Sequence, residues 1–287
     1  MKISDILNTG KITVSCELFP PKHGSGLAVA QNIVRETASL RPSFISVTYG
    51  AGGGTSEHTA ALAAEAQKHG IPALAHLTCV SSDRQTIKSV LSKFAAGKIE
   101  NILALRGDIP NGQPFPTDAQ YHHACDLMKE IQSEGDFCIG GACYPEGHPE
   151  SESIEKDIES LKFKMDCGCS FLTTQMFFDN NLLYNFLYRL LHHKIDIPVI
   201  AGIMPVTDER QITRICKLSG TVLPPRFRAI VDKFSNNSAA MAQAGIAYAT
   251  EQIIDLIAND VCNIHIYTMN KPDIAGKIMN NLSEIFK

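Results

Sequence analysis

The sequence is first informative in what it lacks. No excess of charge of either sign is present: 26 Lys and Arg stand against 30 Asp and Glu, a net charge of −4. That leaves no basic footprint for nucleic acid or an anionic membrane. No apolar run is long enough to span a bilayer, and Met1-Lys2-Ile3-Ser4-Asp5 does not open a signal peptide. Low-complexity tracts, linkers and tandem repeats are missing, so the expectation is one catalytic domain over residues 1–287 with no appended regulatory module. The nine cysteines show no metal spacing. Cys167-x-Cys169 is tighter than a zinc pair and no second pair follows it, so no metal site is expected. Cys79, Cys138 and Cys262 fall inside apolar runs, where a thiol behaves as a small hydrophobe. With no export signal this points to a reducing compartment, most simply the cytoplasm.

What is present is alternation. Eight β-rich runs occur at 12–18, 44–49, 71–78, 99–105, 137–144, 169–176, 197–204 and 261–267. Helical patterns separate them: 25–40, 57–69, 82–97, 121–134, 151–165, 180–193 and 208–218, several closed by glycine. The last connection is longer and holds two extra helices, 224–234 and 237–259, before a final helix from Pro272 to Phe286. Eightfold strand–helix alternation predicts an α/β fold, a single (β/α)8 TIM barrel with extra helices between strands seven and eight; a doubly wound sheet is the rival.

In such a barrel the C-terminal strand ends build the site. The first run alternates Ile12, Val14 and Cys16 with Thr13, Ser15 and Glu17, then meets Pro20-Pro21, which places Glu17 at the strand end on the polar side. The other ends supply Thr48-Tyr49, His76, Arg106-Gly107-Asp108, Tyr144 with Glu146 and His148, Gln175, and Tyr267 with Asn270 and Lys271. Acid, amide, imidazole and guanidinium groups on one rim describe a site for a large polar ligand. Gly50-Ala51-Gly52-Gly53-Gly54-Thr55 lies between a strand and a helix and reads as an anion nest, a lid or a plain loop; it departs from G-x-G-x-x-G at Thr55 and lacks a P-loop lysine. The adjacent pairs His122-His123 and His192-His193 make poor chelates, because helix neighbours face different directions. No lysine at an inner strand end suggests a Schiff base, and no His/Asp/Glu triad suggests a metal-dependent lyase.

Taken in order, several blocks carry a resemblance: Glu17-Leu18-Phe19-Pro20-Pro21, Val47-Thr48-Tyr49-Gly50-Ala51-Gly52-Gly53, His76-Leu77-Thr78-Cys79, Leu105-Arg106-Gly107-Asp108, Tyr144-Pro145-Glu146-Gly147-His148-Pro149-Glu150, Thr174-Gln175-Met176-Phe177-Phe178, Gly202-Ile203-Met204-Pro205-Val206 and His265-Ile266-Tyr267-Thr268-Met269-Asn270. Together they resemble the successive motifs of the methylenetetrahydrofolate reductases, in the short bacterial catalytic form. The resemblance implies a cytoplasmic flavoprotein oxidoreductase of one-carbon metabolism and methionine biosynthesis. FAD sits in the barrel, and NADH or NADPH and 5,10-methylenetetrahydrofolate react in turn by a ping-pong scheme. It implies Glu17 as general acid and Asp108 as the charge beside flavin and folate. Gln175, Gln211 and Lys271, with Asp108, are implied on the substrate side. On the cofactor side it implies Thr48 (against the nicotinamide), Tyr49, Ala51, His76, Arg106, Gly107, Asp108, Tyr144, His148, Asp157, Ser160 and Lys164. Asp157, Ser160 and Lys164 recur at three- and four-residue intervals, hence on one helix face. A homo-oligomer is implied. NADH against NADPH, and whether a redox partner subunit supplies electrons, stay open. The alternative reading is a flavin- or folate-binding subunit of a larger redox complex, against which the intact Glu17, Asp108 and Gln175 argue.

Overall fold

The computed structural model describes residues 1–21, 23–49, 56–109, 115 and 120–286. Eight strands, β1 (Thr13–Leu18), β2 (Phe44–Val47), β3 (Ala73–Thr78), β4 (Asn101–Leu105), β5 (Cys138–Cys143), β6 (Cys169–Thr174), β7 (Val199–Ile203) and β8 (Asn263–Tyr267), run parallel and close in sequence order into a barrel. Closure excludes the doubly wound rival: β1 pairs with β2 on one side and with β8 on the other. The expected (β/α)8 barrel is what forms.

Strand alternation explains the layering. Val14, Cys16 and Leu18 are buried outward in the core shared with the helices. Their neighbours Thr13, Ser15 and Glu17 face the barrel axis. The outer layer comprises α2 (Leu27–Ser39), α3 (Ser56–Lys68), α4 (Arg84–Ala96), α5 (Ala124–Glu134), α6 (Ile154–Asp166), α7 (Asn180–His192) and α8 (Glu209–Ser219), then α9 (Pro225–Phe234) and α10 (Ser238–Ala258) before β8, and α11 (Pro272–Asn281) after it; α1 (Ile3–Leu7) precedes β1. Caps set the boundaries. Asp83, Ser153, Asp208 and Asn237 each accept a first-turn N–H, and Gly220 ends α8 in the left-handed region at φ 76°.

Several boundaries differ from the sequence expectation, and one element is new. α5 starts at Ala124 rather than Tyr121, because the Asp126 carboxylate takes the N–H groups of His122 and His123 and caps the helix there. α11 stops at Asn281, with turns rather than helix at residues 282–285. The short α1 was not anticipated. Its Ile3 and Leu7 close the N-terminal end of the barrel on Phe44, Leu74, Leu103, Cys138, Phe171 and Ile200. Ile3 N–H donates to Asn101 Oδ1 at 2.8 Å inside that plug.

At the opposite end a second apolar cluster supports the rim. Met176, Phe178, Met204, Val206, Ile212, Phe227, Val231 and Met241 pack beneath α8, α9 and α10. α10 sits directly on the end of β7: a Cβ at Gly245 would lie 1.7 Å from the Val206 carbonyl oxygen, so only glycine allows this approach.

Candidate active site

Barrel closure assembles the chemistry around Glu17. In register, Glu17 pairs with Ser46 of β2 and Tyr267 of β8, and Ser15 pairs with His265. The Glu17 side chain keeps 18% of its surface exposed, with Oε2 3.7 Å from His76 Nε2 and 3.6 Å from His265 Nε2. Each ring is tied to a serine. Ser46 Oγ lies 2.7 Å from His76 Nε2, and Ser15 Oγ lies 2.7 Å from His265 Nδ1. Burial holds the His76 imidazole down at about 4; the Glu17 charge opposes this and His265 adds to it. His76 is therefore a neutral ring at physiological pH.

The backbone under Glu17 is braced by β8 and the turn after it. Thr268 Oγ1 donates to the Glu17 carbonyl at 2.6 Å. Asn270 Oδ1 accepts from Phe19 N–H at 3.0 Å and Asn270 Nδ2 donates to the Phe19 carbonyl at 2.9 Å. That amide continues the β1–β8 ladder past the point where Pro20 and Pro21 end it. Met269 and Asn270 hold left-handed backbone, φ 53° and 56°, and turn Lys271 back across the rim, where Nζ donates to Thr207 Oγ1 at 2.9 Å. Tyr267 crosses the barrel and donates to the Thr174 carbonyl at 2.6 Å. Gly202 makes room for it: a Cβ there would meet the Tyr267 ring at 2.6 Å. Burial, with Glu17 nearby, pushes the Tyr267 phenol well above its ordinary range, so it stays a donor.

A second group of side chains lies across the mouth. Tyr144 and His148 meet edge to face at 4.6 Å between ring centres. With Gln175, Glu146, Thr221 and Val222 they line a cleft of about 380 Å³. Burial pushes the Tyr144 phenol up to about 12, with Asp108 adding to the effect, and pushes His148 down. The Glu150 N–H donates to His148 Nδ1 at 3.1 Å, which fixes Nε2–H as the free donor of the neutral ring. Asp157 is buried beneath, accepts the His148 N–H at 3.1 Å, and is pushed up by burial against the opposing pull of that N–H and of Lys164. Lys164 reaches inward to the Ala142 carbonyl at 2.7 Å. Arg106 forms a bidentate pair with Glu150 at 2.6 and 2.8 Å. Gly107 is left-handed at φ 91° and turns the chain so that Asp108 projects exposed at the rim. Gln175 Oε1 accepts the Met176 N–H at 3.0 Å.

Most of the sequence-derived residues thus converge. Glu17 and His76 share one contact group, and Tyr144, His148, Asp157, Lys164, Arg106 and Gln175 surround the cleft side. Thr48 and Tyr49 sit at the end of β2, with Thr48 N–H donating to the Leu18 carbonyl at 2.9 Å. Gln211 is partly buried in the first turn of α8, its N–H on the Asp208 cap at 2.9 Å. Ser160 is apart: it is exposed, and its hydroxyl donates to Lys156 of its own helix at 3.0 Å. Of the three, Asp157 and Lys164, two turns apart, are the ones that turn inward. Ala51 and the rest of the 50–55 loop lie outside the described residues, as does most of 110–119. His265 and Ser15 were not singled out from sequence; the available signal was that His265 alternates with Tyr267 as Ser15 does with Glu17. Among the described residues no three His, Cys, Asp or Glu side chains are set to hold a metal ion.

The donor set fits a flavin dinucleotide. A guanidinium, an inward ammonium and a fixed imidazole N–H suit a pyrophosphate, while the half-buried Tyr144 and Tyr267 present neutral aromatic surface. The family model described as methylenetetrahydrofolate reductase matches residues 2–283. The 5,10-methylenetetrahydrofolate reductase of Pectobacterium carotovorum is 31% identical over 274 residues, covering 95% of this chain and 91% of that one. The Escherichia coli protein of the same name matches equally, at 31% with the same coverage. Methylenetetrahydrofolate reductase (NADH) 1 of Arabidopsis thaliana is 32% identical over 99% of this chain, which spans 50% of that longer protein. Among solved structures, a Clostridium thermocellum protein described as binding two copies of 5-methyl-5,6,7,8-tetrahydrofolic acid superposes with a TM-score of 0.64 at 13% identity, covering 99% of this chain and 100% of that one, a likeness of fold. On the family match and the identity across nearly its whole length, the chain belongs to the methylenetetrahydrofolate reductase family.

Proposed function

We propose that this protein reduces 5,10-methylenetetrahydrofolate to 5-methyltetrahydrofolate, with FAD as hydride carrier and NADH or NADPH as donor. FAD held there would supply hydride transfer between the nicotinamide and the folate, so the two substrates would use the site in turn. The observation that carries the reading is Glu17, a carboxyl at the end of β1 set between two buried imidazoles at the barrel mouth. Opening the imidazolidine ring of the substrate needs a proton on the departing nitrogen. Glu17 supplies it; the C–N bonding pair goes to that nitrogen and a 5-iminium cation remains to accept hydride. Positioned acid catalysis of this kind contributes on the order of 10²–10⁴-fold. Asp108 places a negative charge at the rim where the cation forms. Gln175 binds the pterin and, in the other half-reaction, the nicotinamide carboxamide, since an amide both donates and accepts. Lys271 and Gln211 face the outer rim and suit the carboxylates of the folate tail. Arg106, His148 and Lys164 would hold the FAD pyrophosphate, with Tyr49, Gly107, Tyr144 and Asp157 shaping its bed and Thr48 meeting the nicotinamide.

The test is anaerobic. Adding 5-methyltetrahydrofolate to the FAD-loaded protein is expected to bleach the oxidised flavin band. Glu17→Gln is expected to keep FAD and still oxidise the nicotinamide, but to lose the folate half-reaction. If the folate half-reaction survived unchanged in Glu17→Gln, the acid would lie elsewhere.

A further inference from the structure

We infer that His265, locked by Ser15 in one tautomer, is the positioning residue that holds the acidic proton of Glu17. The inference rests on the reading of Glu17 as the acid and deepens it.

Ser15 Oγ makes two contacts, to the Ile264 carbonyl at 3.1 Å and to His265 Nδ1 at 2.7 Å. A hydroxyl has one proton, and a carbonyl oxygen only accepts. Both contacts are satisfied together in one arrangement: the Ser15 proton goes to Ile264, and Nδ1–H of His265 donates to Ser15. A ring that carries its one proton at Nδ1 has a bare Nε2, and that nitrogen faces Glu17 Oε2 at 3.6 Å. An unprotonated ring nitrogen is an acceptor, so the partner it selects, once the 3.6 Å separation closes to hydrogen-bond length, is the O–H of a carboxylic acid rather than a carboxylate. His265 thereby favours the form of Glu17 that the reaction consumes, and aims its proton along a fixed direction.

His76 differs. The same nitrogen that approaches Glu17, Nε2, is the one bonded to Ser46 at 2.7 Å. It is already engaged, and Glu17 stands a further ångström away at 3.7 Å. The two rings therefore divide: His76 walls the carboxyl as a neutral group, and His265 partners it. His265 is only 1% exposed, with Phe44 stacked on one side at 6.3 Å and Tyr267 edge-on at 5.1 Å. Among the described residues the titratable groups that face this ring are Glu17 from β1, His76 from β3 and Tyr267 from its own strand.

The experiment is long-range proton–nitrogen NMR of the FAD-loaded, nitrogen-labelled histidine protein near neutral pH. His265→Asn identifies the His265 signals by their loss; should that variant fail to fold, the resonances that move in Ser15→Ala identify them instead. The expected result is Nδ1 protonated and Nε2 unprotonated in the native protein. Loss of that preference is expected in Ser15→Ala, and its retention in Ser15→Thr. An Nε2–H ring in the native protein, or an unchanged tautomer in Ser15→Ala, overturns the inference. Stopped-flow kinetics supply the functional arm. Ser15→Ala is expected to slow the folate half-reaction by about tenfold, less than loss of the acid itself, and to move its pH profile while sparing the nicotinamide half-reaction. Equal slowing of both halves with an unmoved profile would mark a purely structural role and also overturn it. If instead Glu17→Gln retained folate reduction, the acid assignment would fail, while the NMR result would still report on Ser15 and His265.

Discussion

The buried imidazole of His76 makes folding stability depend on pH in a way that one substitution isolates. In the folded protein burial holds this ring at about 4, against 6.5 for an ordinary histidine. Between those values the unfolded chain binds a proton that the folded chain does not. Acid therefore favours the unfolded state: the stability is fully present above about pH 6.5 and is lost as pH falls toward 4. A gap of about 2.5 units at 1.36 kcal/mol each corresponds to roughly 3 kcal/mol over the whole window. Between about pH 7.5 and about pH 5 the loss from this ring is about 2 kcal/mol. The measurement is a series of urea unfolding curves across that range for the native protein and for His76→Gln. Groups distant from the ring titrate alike in both, so the difference between the two slopes belongs to His76 and its contacts with Glu17 and His265. The variant is less stable at pH 7.5, but it is expected to lose about 2 kcal/mol less on acidification. Parallel stability curves, or a His76 resonance that titrates near 6.5 in the folded protein, would refute the reasoning.

Other perturbations test other parts of the molecule. Gly202→Ala places a Cβ 2.6 Å from the Tyr267 ring and 2.7 Å from the Thr174 carbonyl; overpacking plus the displaced Tyr267 bond is expected to cost about 2–4 kcal/mol by urea denaturation, and a change below about 0.5 kcal/mol would mean that the barrel interior yields there. Lys164→Met removes the inward ammonium that donates to Ala142; a charged hydrogen bond contributes about 1.5–3 kcal/mol, so FAD affinity, titrated by flavin fluorescence on the apoprotein, is expected to fall at least about tenfold. Ile3→Ala opens the plug at the far end of the barrel, where Ile3 is fully buried; a loss of about 2–4 kcal/mol is expected by thermal and urea unfolding, with both half-reactions retained.

How far the sequence could be read depends on whether the deciding contact is local. The eight strands were legible because each is a short β-rich run bounded by turn residues, and their ends name the rim. α1 was not, because a five-residue helix with no side-chain cap at Lys2 carries no periodic signal; its stability comes from packing against six strands far along the chain. Tyr121–His123 read as helix by pattern, yet the Asp126 carboxylate captures the His122 and His123 N–H groups and starts α5 later. Ser160 shares a nominal face with Asp157 and Lys164, but at about 100° per residue those two lie within about 20° of one another while Ser160 sits about 60° to the side, and it stays in solvent. The Arg106–Glu150 pair spans 44 residues and the Asn270–Phe19 clamp 251. No spacing rule reaches that far. His265 escaped for the same reason, since its meaning comes from lying beside Ser15 once β8 has returned to β1.

That return also explains how one rim separates its tasks. The seam between β8 and β1 brings Ser15, Glu17, His265 and Tyr267 together, with Ser46 and His76 from the next two strands. Here the groups are buried or half-buried and tied to hydroxyls, which suits holding and delivering a proton. The arc from β4 to α6 carries Arg106, His148 and Lys164, with Asp157 buried among them, which suits an anionic cofactor. Between them, Gln175 at the end of β6 and Lys271 after β8 face the remaining arc. Exchanging positive charge between the first two arcs would weaken both: a cation at the seam would hold Glu17 as a carboxylate, and loss of one from the second arc would leave phosphate oxygens unpaired. The separation therefore makes an asymmetric prediction for Ser46→Lys, which places an ammonium beside His76 and Glu17. FAD binding is expected to persist, and the folate half-reaction to fall while nicotinamide oxidation continues. Loss of flavin from that variant, with the fold intact by circular dichroism, would show that the two arcs are not electrostatically independent.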